Sequence, residues 1–213
     1  MTYILFDLDG TLTDPKTGIT RSVQYALEKY GIRIENTDEL CPFIGPPLKE
    51  SFIKFFGFDE EMASDAVAKY REYFATIGIY ENIIYEGVPE MLEALKDNGK
   101  DLILATSKPT VYAKKILEYF EIDKYFRFIS GSELDGRRTN KAEVINYALR
   151  NCQIDDLSSV VMVGDRKHDI LGAKQVGVLS VGVLYGYGSY EELTKTSPDK
   201  LVSSIGELTA TLL

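Results

Sequence analysis

Histidine occurs once in this 213-residue chain, cysteine twice and tryptophan not at all. With His168 alone, a histidine-rich metal centre cannot be built, and zinc held by His and Cys ligands is disfavoured. Cys41 and Cys152 lie far apart and form no CxxC motif, which argues against a disulfide framework and for a reducing compartment; both read as packed thiols. No apolar run reaches the ~18 residues of a membrane span. No basic stretch followed by an apolar one marks a secretory leader, so a cytoplasmic location is expected. A surplus of positive charge is missing too: 24 Lys and Arg stand against 33 Asp and Glu, a formal net charge of −9. That balance opposes a nucleic-acid polymer as partner, because such affinity comes largely from cations neutralising backbone phosphates. An acidic chain can still hold a small phosphate if a metal and one or two lysines supply positive charge locally.

A 45% hydrophobic and 27% charged composition is that of a soluble globular protein, with no repeat, low-complexity linker or disordered tail. Short apolar runs at Tyr3 to Leu8, Asp101 to Ala105, Tyr125 to Ile129, Ser159 to Val163 and Leu179 to Leu184 read as buried strands. Between them, Val88, Met91, Leu92 and Leu95 follow helical spacing with Gly99 as a stop, and further helices fit Thr110 to Tyr119, Lys141 to Arg150 and Asp169 to Val176. Strands alternating with helices predict an α/β fold with a parallel sheet, whose ligands sit at the carboxyl ends of the strands.

The stretch from about Asp14 to Asn82 breaks this alternation and shows helix after helix. Val23, Ala26, Leu27 and Tyr30 mark one, Leu48, Phe52, Phe55 and Phe56 a second, and Met62, Ala66, Tyr70, Tyr73 and Ile77 a third. Their aromatics are expected in a core. The organisation predicted is a core domain of residues 1–14 and 83–213 carrying a helical insert of residues 15–82, placed where a lid belongs.

Two acidic turns follow predicted strands. In Asp7-Leu8-Asp9-Gly10-Thr11 the carboxylates are two apart, so on an extended chain both face one side while Leu8 faces the core. An unperturbed aspartate is already ionised at neutral pH and can act as a nucleophile, with a second carboxylate as acid and base. In Gly164-Asp165-Arg166-Lys167-His168-Asp169, Asp165 stands at a strand end and Asp169 in the first turn of a helix. Three or four aspartates plus water suit the octahedral oxygen preference of Mg²⁺. Either turn alone is ordinary; together in one chain they arise by chance about once in ten thousand chains.

Thr106 and Ser107, before Lys108-Pro109, offer hydroxyls and amides that could meet phosphate oxygens. Lys141 opens a helix, an awkward end for a cation, and is read either as solvated or as reaching inward to an anion. His168 is read as a surface helix residue, and Tyr185-Gly186-Tyr187-Gly188-Ser189 as a loop without an assigned role.

With Phe6-Asp7-Leu8-Asp9-Gly10-Thr11, Thr106, Lys141 and Gly164-Asp165 to Asp169 in this order, the chain resembles the haloacid dehalogenase superfamily of phosphatases over nearly its full length. The resemblance implies a Rossmann-like core and an alpha-helical cap of the phosphoglycolate phosphatase-like group. It implies Asp7 as nucleophile and magnesium ligand, and Asp9 as general acid and base whose backbone carbonyl also binds magnesium. Thr106, Ser107 and Lys141 would hold the phosphoryl group, and Asp165 and Asp169 the metal. The implied activity is Mg²⁺-dependent hydrolysis of a small phosphomonoester through a phosphoaspartyl intermediate. The stretch around Thr106-Ser107-Lys108-Pro109 and Gly131 to Gly136 looks most like the bacterial 5′-nucleotidase branch, with phosphoglycolate phosphatase close behind. Arg21, Gly45, Pro46 and Lys49 form the expected specificity surface. A phosphosugar mutase of the β-phosphoglucomutase type resembles the chain in the same motifs, and a catalytically idle binding or regulatory module is the reading from another class.

Overall fold

Tyr3–Phe6, strand β1, lies in the middle of the sheet that organises the protein. The computed structural model describes residues 1–213. The remaining strands, in chain order, are β2 (Thr13–Asp14), β3 (Ile83–Ile84), β4 (Asp101–Pro109), β5 (Phe126–Ser132), β6 (Val160–Gly164), β7 (Leu179–Val183) and β8 (Lys200–Val202). Six of the eight strands, β1 included, pair in parallel in the order β5-β4-β1-β6-β7-β8, and β2 pairs separately with β3. An α/β fold with a parallel sheet is thus what the alternation predicted, and the residues show why. Leu5, Ile103, Ala105, Val160 and Met162 face one buried cluster with Val144, Ile145, Ala148 and Leu149. The alternate residues Ile4, Phe6, Leu102, Leu104, Val161 and Val163 are fully buried too. Both faces are covered, so the strands read as continuous apolar runs.

The helices are α1 (Lys16–Glu28), α2 (Leu48–Phe56), α3 (Glu60–Tyr73), α4 (Val88–Asp97), α5 (Thr110–Tyr119), α6 (Lys141–Cys152), α7 (Lys167–Val176), α8 (Tyr190–Lys195) and α9 (Ile205–Leu212). The chain divides into two compact units, Met1–Asp14 with Ile84–Leu213, and Pro15–Ile83. In the first, consecutive strands β4 and β5 lie on one side of β1 and β6, β7 and β8 on the other. Such a reversal of strand order opens a crevice at the carboxyl ends of the strands.

Strand β4 runs on to Pro109, four residues beyond the end expected at Ala105. Proline at 109 restricts Lys108 to extended backbone. The extension is fastened to β5 by pairing of Pro109 with Ser132 and by a 2.7 Å bond from Ser132 Oγ to the Ser107 carbonyl.

The unit Pro15–Ile83 contains α1, α2, α3 and a 3₁₀ segment, Thr37–Phe43. Asn36 and Asp59 cap Thr37–Phe43 and α3 through their side chains. Phe43, Phe52 and Phe58 are buried, with Phe52 stacked on Phe58 at 5.8 Å between centroids. Phe55 differs from the expectation of a core position for the aromatics, and the helix-marking residues Met62 and Ile77 are also exposed. Each is 40% or more exposed, because these helices bury one stripe and leave the opposite face to solvent. No helix in the chain is long and apolar enough to cross a membrane.

Candidate active site

Asp7 follows β1 directly, and its N–H donates to the Val163 carbonyl at 2.9 Å, so it continues the strand by one residue at the crevice. The Leu8 carbonyl then accepts from the amides of Thr11, Leu12 and Thr13 and turns the chain back. Extended geometry therefore ends before Asp9, and the two carboxylates find different partners. Asp7 turns to Lys141, whose Nζ lies 3.0 Å away, while Asp9 turns to Lys108.

Lys141 reaches inward. Its side chain is 3% exposed, with Nζ 2.7 Å from Asp169 Oδ1 and donating to the Ala105 carbonyl at 3.1 Å. Gly172 on α7 makes this possible, since a Cβ there would come within 2.8 Å of the Lys141 stem. Burial works against the ammonium, but Asp169 and Asp7 outweigh it and hold its pKa above the ordinary lysine value.

Asp165 ends β6 and Asp169 lies in the first turn of α7, with Oδ2 accepting from the Arg166 N–H at 3.0 Å. One oxygen each from Asp7, Asp165 and Asp169 falls within 4.8 Å of the others, and all three residues are buried. Burial, followed by repulsion from Asp169 and Asp7, pushes Asp165 well above the usual carboxylate range. Burial also pushes Asp169 upward against the attraction of Lys141. Three carboxylates against one ammonium leave two negative charges uncompensated when all are ionised, and Asp165 Oδ1 has no hydrogen-bond partner. An oxygen-only donor set with that charge deficit fits a hard divalent cation.

The Asp9 carboxylate stands outside this cluster. Lys108 and Asp9 form an ion pair with side-chain exposures of 6% and 12%. Burial raises the Asp9 pKa, and Lys108 opposes the rise. Thr106 is 2% exposed, and its Oγ1 accepts from the Lys108 N–H at 3.3 Å. Ser107 has its carbonyl tied to Ser132.

Thr106, Ser107, Lys108, Lys141, Asp165 and Asp169 thus lie in the same unit as the first acidic turn, Met1–Asp14 with Ile84–Leu213. Residues 4–183 match the description haloacid dehalogenase-like hydrolase. The chain belongs to that family. Among its relatives is the 5′-nucleotidase of Pseudomonas aeruginosa, 49% identical over 96% of this chain and 92% of that protein. Tyrosine-protein kinase PtkA of Mycobacterium tuberculosis is 37% identical over 91% of this chain and 66% of its own length. The phosphoglycolate phosphatase of Vibrio parahaemolyticus is 30% identical over 96% and 93%. A predicted phosphatase from Clostridium acetobutylicum has the same fold, with a TM-score of 0.96, 47% identity and coverage of 99% and 97%. The chain is accordingly an enzyme of the haloacid dehalogenase-like hydrolases, of the phosphatase kind.

Arg21, Gly45, Pro46 and Lys49 belong to the other unit, Pro15–Ile83. Arg21 is paired with Glu81, and Lys49 with Glu60 at 2.5 Å. Both cations therefore already have acidic partners. His168 is half-buried rather than a surface residue, and burial lowers its pKa.

Two participants had no role in the sequence reading. Lys108 becomes visible once β4 is carried past Ala105, because Thr106 and Lys108 are then two apart on one strand and share a face. The second is the loop after β7, where the Tyr187 N–H donates to Asp165 Oδ2 at 2.7 Å. Alternating Tyr and Gly beyond a strand was its only signal.

Proposed function

We propose that this chain is a Mg²⁺-dependent phosphomonoesterase that works through a phosphorylated Asp7. The observation that carries the reading is Lys141 Nζ between Asp7 and Asp169, beside the buried cluster with Asp165. Asp7, Asp165, Asp169 and the Asp9 backbone carbonyl would hold the ion, which when bound neutralises charge on the phosphoryl oxygens.

In the first half-reaction an Asp7 carboxylate oxygen attacks phosphorus, and Asp9 protonates the departing alkoxide. The upward pKa shift of Asp9 favours the protonated form that this step needs. In the second, Asp9 takes a proton from water, which attacks the acyl phosphate and frees Asp7 and inorganic phosphate. Lys141 offsets negative charge on the transferring group, and Thr106 and Ser107 provide hydroxyl and amide donors to its oxygens. The burial of Lys141 and Asp7 keeps bulk water from screening these interactions.

Nucleoside 5′-monophosphates are the substrate class with the best support, from the 49% identity with a 5′-nucleotidase, and phosphoglycolate is second. Arg21, Gly45, Pro46 and Lys49 would contribute to that choice, and residues 15–82 would serve as the cap of the core domain. Phosphate release from nucleoside monophosphates, phosphoglycolate and sugar phosphates, with and without Mg²⁺, tests the reading in wild type and Asp7→Asn. Metal-dependent release that Asp7→Asn abolishes is expected. Release that survives the substitution would overturn the mechanism, and a preference for phosphoglycolate would overturn the substrate class.

A further inference from the structure

The loop that follows β7 is fastened at several points around Asp165. Tyr187 is held at both ends: its backbone N–H donates to Asp165 Oδ2, and its hydroxyl donates to Asp14 Oδ1. Tyr185 adds a hydroxyl bond to the Thr11 carbonyl at 3.0 Å and an edge-on contact with Tyr85, 5.3 Å between centroids. The loop also lies as close as backbone can. A Cβ at Gly186 would stand 2.3 Å from the Gly10 carbonyl oxygen and 2.4 Å from the Asp165 Cβ. Asp165 is thereby confined between the first acidic turn and this loop, with Oδ2 engaged and the buried Oδ1 left unpartnered.

We propose that Tyr187 and Asp14 are positioning residues for cation binding, neither of them a ligand. This inference rests on the reading above that Asp165 holds Mg²⁺. The hydroxyl tie to Asp14 fixes the loop, the loop amide fixes Oδ2, and Oδ1 is thereby presented to the ion in one orientation. A ligand held in advance loses less freedom on binding, and removing such an outer support typically weakens metal affinity by about 10–100-fold. Asp14 is also the residue at which the chain leaves this unit, so the tie links the metal ligand to the end of the first acidic turn.

The test is Mg²⁺ titration by calorimetry on the full chain: wild type, Tyr187→Phe, Asp14→Ala, the double variant and Asp165→Ala. Each single variant is expected to raise the Mg²⁺ Kd about 10-fold. The double variant should be no worse than either single one, since both remove the same bond. The Mg²⁺ concentration for half-maximal phosphate release should move by the same factor. Thermal melts in the absence of metal separate this from a purely structural tie, which would lower Tm and leave Kd alone. If Tyr187→Phe and Asp14→Ala bind as tightly as wild type while Asp165→Ala does not bind, this inference falls and the proposed function stands. If wild type binds no Mg²⁺, both fall.

Discussion

The ammonium of Lys108 is paired with the carboxylate of Asp9 at a place where both side chains are nearly closed to solvent. Removing one partner of such a pair strands the other charge, which costs about 3–5 kcal/mol where the site cannot relax. Lys108→Met is therefore expected to lower Tm clearly. Adding Asp9→Asn to it should recover most of the loss, because the stranded charge is gone. A double-mutant cycle in thermal or urea denaturation checks this, and additive losses would show that the two residues do not act as a pair.

Lys141 presents the same physics with a different outcome. Lys141→Met leaves Asp7, Asp165 and Asp169 with no ammonium among them. The metal-free protein should lose about 3–5 kcal/mol, and Mg²⁺ should restore more stability to the variant than it adds to wild type. Phosphate release should fall by at least about 10²-fold, as when a donor to developing charge is removed. Urea midpoints with and without Mg²⁺ read the first effect; equal gains in the two proteins would contradict it.

Gly172 lies inside α7, where glycine ordinarily costs about 0.5–1 kcal/mol relative to alanine. Here the sign should reverse. The added Cβ would come within 2.8 Å of Lys141 Cβ and Cγ and 3.1 Å of the Ala142 nitrogen, an overpacking that costs about 1–3 kcal/mol. Gly172→Ala should therefore destabilise the protein and reduce activity although it replaces no polar side chain. A variant at least as stable as wild type would show that α6 and α7 can separate freely.

Tyr30 donates to Asp65 and packs edge-on against Phe58 at 5.0 Å. Burial, with the Asp65 bond next, pushes its phenol pKa up to about 12. A folded pKa above the ordinary ~10 means that the neutral phenol is favoured by folding. This stability is fully present below pH 10 and is lost as pH rises through about 12. The stability difference between wild type and Tyr30→Phe should thus shrink across that window. Urea midpoints at pH 9 and above measure it, and curves that stay parallel would sink the assignment.

Much of the fold was legible because burial on both sheet faces writes strands as unbroken apolar runs, and β1 and β6 stand out for that reason. Lys200–Val202 carries no such run, being three residues at the sheet edge with Lys200 exposed. The end of β4 departs from the expected one because Thr-Ser-Lys-Pro has the composition of a turn, although proline holds the preceding residue extended. At the site, spacing placed the aspartates after strands but could not assign partners. The inward course of Lys141 depends on partners distant in sequence, and its stem packs against Gly172, a residue 31 positions away on another helix. The loop around Tyr187 was opaque because its function lies in a backbone amide, which every residue but proline possesses.

Strand β1 pairs with β4 and β6, so Tyr3 finds its neighbours at Asp101 and Val160. The pairing of β1 with β6 therefore joins strands further apart in sequence than any other pairing in the sheet. Residues 15–83 already form a compact unit from contiguous sequence, while the apolar Tyr3–Phe6 segment waits for about 160 residues to emerge before both of its edges are occupied. At ~5–20 residues per second, synthesis of that intervening stretch leaves a short hydrophobic strand with an unpaired edge for about 8–30 s.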